Sequence, residues 1–105
     1  MRSFKFLGAL FVLAACGGGP NVSGSVSDAC LAVNRKAATP ALCSCVQQVA
    51  NNTLSKRDQS RAASFFFEPQ LAQDTRQSDN SRDEAFWQRY KRFSTTAASQ
   101  CRALT

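Results

Sequence analysis

Ser81-Arg82-Asp83-Glu84-Ala85-Phe86-Trp87-Gln88-Arg89-Tyr90-Lys91-Arg92-Phe93, continuing through Ala97 and Cys101 to Leu104, is the stretch whose reading decides the fold. Phe86, Tyr90, Phe93, Ala97, Cys101 and Leu104 recur every three or four residues, the spacing of one apolar face on an α-helix. Glu84, Gln88, Lys91, Arg92, Thr95 and Arg102 take the other faces. Ser81 with Glu84 three residues later has the form of a capping box. A long helix with a single apolar stripe must bury it against neighbours, so the stretch predicts the core helix of an all-α domain.

Working backwards along the chain, the same signals define shorter partners. Ser55 and Asp58 form a capping pair that opens a helix to about Phe67, with Ala62, Phe65 and Phe66 inward. Glu68-Pro69 ends it, because the residue before a proline is pushed out of the helical region. Three consecutive phenylalanines cannot share one direction, and Phe67 is expected at an edge. Gln70 to Asn80 reads as a polar connection with at most a helical turn near Leu71 and Ala72. Further back, Thr39 as cap and Pro40 at the first helical position start a helix to about Asn51, with Leu42, Cys45, Val46 and Val49 on its core face. A first short helix is expected over Asp28 to Ala37, started by Ser27 and Asp28, with Cys30, Val33 and Ala37 on one side. No alternating β-branched run follows Val26. The expected fold is an all-α bundle of four or five helices over residues 28–105.

Cys30, Cys43, Cys45 and Cys101 are an even set that suits two disulfides in an exported chain. Cys43 and Cys45 point about 200° apart on a helix, so they do not pair with each other. A hairpin turning near Ala38 and Thr39 sets Cys30 opposite roughly position 47. That register favours Cys30 with Cys45 and Cys43 with Cys101, while Cys30 with Cys43 and Cys45 with Cys101 stays open. Either pattern makes the second helix a hub tied to the first and the last.

Ahead of this domain, Gly17 to Ser27 is rich in glycine and serine and reads as a flexible tether with an r.m.s. reach of roughly 18 Å. Before it, Arg2 and Lys5 precede an apolar run from Phe6 to Val12, the build of a secretory signal. As a helix, Phe6 to Cys16 would extend about 16 Å, half of what a membrane span needs. The run closes on Leu13-Ala14-Ala15-Cys16, which resembles the lipobox of bacterial lipoproteins. The resemblance implies cleavage of residues 1–15, a covalent lipid on Cys16 as membrane anchor, and a tether over 16–27. Because Gly17 rather than Asp follows the cysteine, it further implies outer-membrane sorting, on the periplasmic face.

Cleavage would remove two of the 13 Lys and Arg residues, leaving 11 against 7 acidic ones and a formal charge of about +4. The charges form no single tract, so no nucleic-acid partner is expected. Histidine is absent, which excludes self-contained Ser-His, Cys-His and zinc-histidine chemistry. Of the acidic residues, the adjacent Asp83 and Glu84 fall in a helix first turn, where carboxylates stabilise the N-terminal dipole. A redox dithiol at Cys43-Ser44-Cys45 lacks the usual spacing, a four-thiolate zinc site is ill-suited to an oxidising compartment, and haem attachment has no motif. The expectation is a non-enzymatic protein without cofactor, apart from lipid on Cys16.

The remaining functional stretch is Phe86-Trp87-Gln88-Arg89-Tyr90. Trp87 lies about 100° round from the apolar stripe, within reach of Lys91 for a cation-π contact, and aromatic plus arginine residues favour interfaces. Trp87, Arg89 and Tyr90 are therefore expected to bind an envelope protein. Cys30-Leu31-Ala32, Cys43-Ser44-Cys45 and Phe86-Trp87-x-Arg89-Tyr90 together look similar to short four-cysteine lipoproteins that carry the label arginine transporter. That resemblance implies, as an alternative, an accessory in amino-acid transport with a ligand pocket near Phe65, Phe66 and Tyr90. A thiol redox protein using Cys43 and Cys45 is the other alternative.

Overall fold

A computed structural model describes residues 22–33 and 38–104. The expected leader, the lipobox-like stretch Leu13-Ala14-Ala15-Cys16 and the expected lipid site at Cys16 lie outside the described residues. Among these residues the chain forms five helices and no strand: α1 (Ser25–Ala32), α2 (Pro40–Thr53), α3 (Lys56–Phe67), α4 (Pro69–Arg76) and α5 (Ser81–Gln100). A 3-10 turn over Arg102–Leu104 follows. The all-α, disulfide-stapled bundle expected from the sequence is what forms.

Local chemistry explains most boundaries. The Leu42 N–H donates to Thr39 Oγ1 at 3.1 Å and Pro40 occupies the first turn, so α2 starts as expected. The Asp58 N–H likewise donates to Ser55 Oγ at 3.1 Å at the head of α3. α5 is capped one residue earlier than expected: Asn80 Oδ1 accepts from the N–H groups of Arg82 and Asp83 at 2.7 and 3.3 Å, which leaves Ser81 as the first helical residue. Cys101 closes α5, and Leu104 sits on the 3-10 turn, 44% exposed, rather than extending the stripe. Pro69, read only as a terminator, also begins a new helix. α4 occupies much of the stretch expected to be a polar connection, and its Thr75 is buried.

The largest departure is at the N-terminal end. α1 begins at Ser25, inside the stretch expected to be tether, with Gly24 as its cap, and it ends at Ala32 with Val33 closing it. Ala37 falls outside the described residues. Val26 is fully buried and joins Val49, Ala50, Leu54, Ala62, Phe93 and Ala97 in the central core. One apolar residue among serines and glycines shows no periodicity, so tertiary burial rather than local pattern orders this helix. α1 packs on both α2 and α3, α2 packs on α5, and α4 bridges α3 and α5.

The shift of α1 also changes the disulfides. Cys30 now lies two residues before the end of α1 at Ala32, and its partner is Cys43 in the first turns of α2. Cys45, on another face of α2, pairs with Cys101 at the foot of α5. The favoured pairing of Cys30 with Cys45 and Cys43 with Cys101 is therefore replaced by the one left open. The hub role of α2 is unchanged, since it is joined to α1 and to the end of α5.

A polar cluster crosses the core beside these links. Gln47 is 1% exposed and receives the Ser27 N–H on Oε1 at 2.8 Å. Its Nε2 donates to Gln59 Oε1 at 2.7 Å and to Asn51 Oδ1 at 2.9 Å. Gln59 Nε2 in turn reaches the carbonyl oxygens of Ala50 and Leu54 at 3.3 and 3.2 Å. Buried amides satisfied in this way join α1, α2 and α3 with fixed directions, which apolar contacts alone do not impose.

Candidate functional site

Tyr90 is the centre of an aromatic cluster on α5. Its ring lies 5.0 Å from Phe65 edge-on, 5.9 Å from Phe93, and 5.2 Å from Trp87 in a stacked arrangement. Burial pushes the Tyr90 phenol above its ordinary pKa. Trp87 is half-buried, so one part of its ring is held by Tyr90 and the rest faces outward. Among the described residues the cation-π contacts fall not on Trp87, where Lys91 was expected, but on Phe86.

Beside Tyr90 is a depression of about 260 Å³ lined by Phe65, Phe66, Pro69, Ala72 and Tyr90. It lies where a pocket was expected, and α4 supplies two of its walls. Among the described residues its lining contains no carboxylate to meet a cationic amino acid. Phe67, at the end of α3, is 57% exposed, as expected of the edge phenylalanine.

Arg89 belongs to a different surface. At 100° per residue it stands about 160° round α5 from Trp87, so the expected trio of Trp87, Arg89 and Tyr90 is split. Arg89 reaches α3 instead, Nε donating to Asp58 Oδ2 at 2.6 Å and Nη2 to Asp58 Oδ1 at 3.2 Å. This two-pronged contact raises the Arg89 pKa still further. Arg61 makes a parallel link one turn along α3: Nη2 donates to Asp83 Oδ1 at 2.8 Å and to Thr75 Oγ1 at 3.3 Å. The hydrogen bond from Arg61, reinforced by one from Ser78, holds the Asp83 carboxyl below its usual pKa. Asp83 therefore does more than stabilise the first turn of its own helix.

Between α3 and α5 these side chains frame an open cleft of about 570 Å³, lined by Arg57, Asp58 and Arg61 from α3 and by Arg82, Phe86 and Arg89 from α5. Arg61 Cζ sits 4.4 Å from the centre of the Phe86 ring and Arg89 Cζ 5.9 Å. Sequence reasoning missed Arg57, Arg61 and Arg82. Their signal was present in the spacing, since Arg57 and Arg61 are four apart and Arg82 and Arg89 seven apart, each pair on one helix face. What the spacing could not supply is that the two faces oppose each other.

Cys43 and Cys45 form no dithiol with each other, and Cys30, Cys43 and Cys101 are buried. Among the described residues no group of three or more His, Cys, Asp or Glu side chains is placed to hold a metal ion. No helix among them is long and apolar enough to cross a membrane. Comparison with protein-family models, with curated proteins and with solved structures finds no match to this chain.

Proposed function

We propose that this chain is a non-enzymatic lipoprotein, held at the periplasmic face of the outer membrane by lipid on Cys16, whose helical domain binds an envelope protein. The observation that carries the binding role is the outward part of Trp87, stacked on Tyr90 next to the aromatic depression. A half-buried Trp fixed by a second ring offers a large contact area with little side-chain entropy left to lose. Arg89 drops out of this surface because Asp58 holds it on the far side of α5. The lipobox resemblance and the basic leader support the anchor.

A basic amino acid is a poorer occupant, because the depression is uncharged and the cleft is cationic. Thiol redox chemistry is likewise disfavoured by the separate and largely buried disulfides. The test is photocrosslinking in intact cells with the reactive residue at Trp87, at Phe67, or at Arg57 on the other side of α5. The same discrete protein adduct from Trp87 and Phe67, absent from Arg57, supports the reading. Adducts at all three positions, or at none, would remove it. Retention of the chain in the soluble periplasmic fraction after Cys16→Ser, against membrane recovery of the parent, tests the anchor separately.

A further inference from the structure

We propose that the cleft between α3 and α5 is a binding site for a phosphate monoester. It brings four guanidinium groups, Arg57, Arg61, Arg82 and Arg89, around one opening, with Asp58 in the lining and Asp83 on Arg61 as the carboxylates. The excess is about two positive charges. Two of the four arginines are already positioned. Arg89 spends Nε and Nη2 on Asp58 and keeps Nη1, while Arg61 spends Nη2 on Asp83 and Thr75 and keeps Nε and Nη1. Both lie against the Phe86 ring, a low-dielectric wall that strengthens attraction to an anion. Among the described residues Arg57 and Arg82 make no ion pair and are exposed, so both are able to close on a ligand.

The charge and donor count select the ligand. A phosphate monoester carries about −1.5 to −2 charge at neutral pH and three acceptor oxygens, matching the excess, and guanidinium forks bind such oxygens in pairs. A single carboxylate would leave about half of the excess unmatched. A volume of about 570 Å³ leaves room for the group that carries the phosphate. That group belongs either to a soluble phosphorylated metabolite or to a lipid headgroup, and the shared chemistry is the terminal phosphate.

The test is phosphorus NMR titration of the full chain with two probes, glycerol 3-phosphate and dihexanoyl phosphatidic acid below its micelle concentration. The parent is compared with the pair Arg57→Gln and Arg82→Gln, which breaks no ion pair of the fold. A second pair, Lys91→Gln and Arg92→Gln, lowers the charge equally on a separate surface of α5. The expected result is saturable binding weakened about tenfold or more by the cleft pair and changed less than about twofold by the other. Such cleft-dependent binding of glycerol 3-phosphate alone assigns a soluble ligand, and tighter binding of the lipid assigns a headgroup. Absence of saturable binding of both probes, or equal weakening by the two variant pairs, overturns the proposal.

Discussion

Gln47 and Gln59 meet amide to amide inside the bundle, Gln47 Nε2 donating to Gln59 Oε1 across 2.7 Å. Both are almost fully buried, so neither can exchange the other for water. Replacing Gln47 by Leu strands the Ser27 N–H and the Gln59 carbonyl at once. Each buried group left without a partner costs about 1–3 kcal/mol. Gln47→Leu is expected to lower the unfolding free energy by about 3 kcal/mol in urea titration, whereas Gln48→Leu, one residue on and exposed, changes it by less than about 0.5 kcal/mol.

Gly24 is held in place by the same amide. A Cβ added there would stand 2.6 Å from Gln47 Cδ and 2.7 Å from its nitrogen and oxygen. The amide is the end of a flexible side chain, yet its hydrogen bonds to α1 and α3 prevent it from giving way. Gly24→Ala is expected to cost about 1–3 kcal/mol, in the range of overpacked cores. In a Gln47→Ala background that cost should vanish, a coupling that a double-mutant cycle reads directly.

The two disulfides close loops of very different size, with sequence separations of 13 and 56. Loop-closure entropy assigns about 3 kcal/mol to the shorter and about 4 kcal/mol to the longer. Removing Cys45 and Cys101 together should therefore lower the thermal midpoint more than removing Cys30 and Cys43 together. The reverse order would mean that the short link mainly holds α1 in its packed position.

Asp83 supplies a pH dependence with a definite sign. Its folded pKa is below the unfolded value of about 3.9, so the unfolded chain takes up the proton first on acidification. The contribution is present above the unfolded pKa and is lost as pH falls through the lower folded value. The stability gap between the parent and Asp83→Asn is thus expected to be constant at neutral pH and to narrow below about pH 4. Chemical denaturation at a series of pH values measures it.

These contrasts also mark how far the sequence could be read. Helix caps with short-range chemistry, Thr39 with Pro40 and Ser55 with Asp58, were legible because the donor and acceptor lie three residues apart. So was Phe67, whose direction follows from its two neighbours. Val26 was not, because its burial depends on α2, α3 and α5 arriving around it. The disulfide partners turned on where α1 stops, and a displacement of a few residues exchanged Cys43 for Cys45. Gln47 and Gln59 read as ordinary polar positions until the fold brought them together. Trp87 and Tyr90 were legible as neighbours three residues apart on the last helix, where their rings stack, while Arg89 was drawn away by a carboxylate on a helix about thirty residues earlier in the chain.

The two links on α2 have a mechanical consequence. A pull applied between residue 22 and the Trp87 surface follows α1 to Cys30, crosses to Cys43, passes through Ser44 to Cys45, crosses again to Cys101 and returns up α5. Covalent bonds carry the load between helices, and the chain from Val46 to Phe86 lies off that route. α3 and α4 can fluctuate without interrupting the route, so extension between its two ends is confined to the drawing out of α1 and α5 themselves.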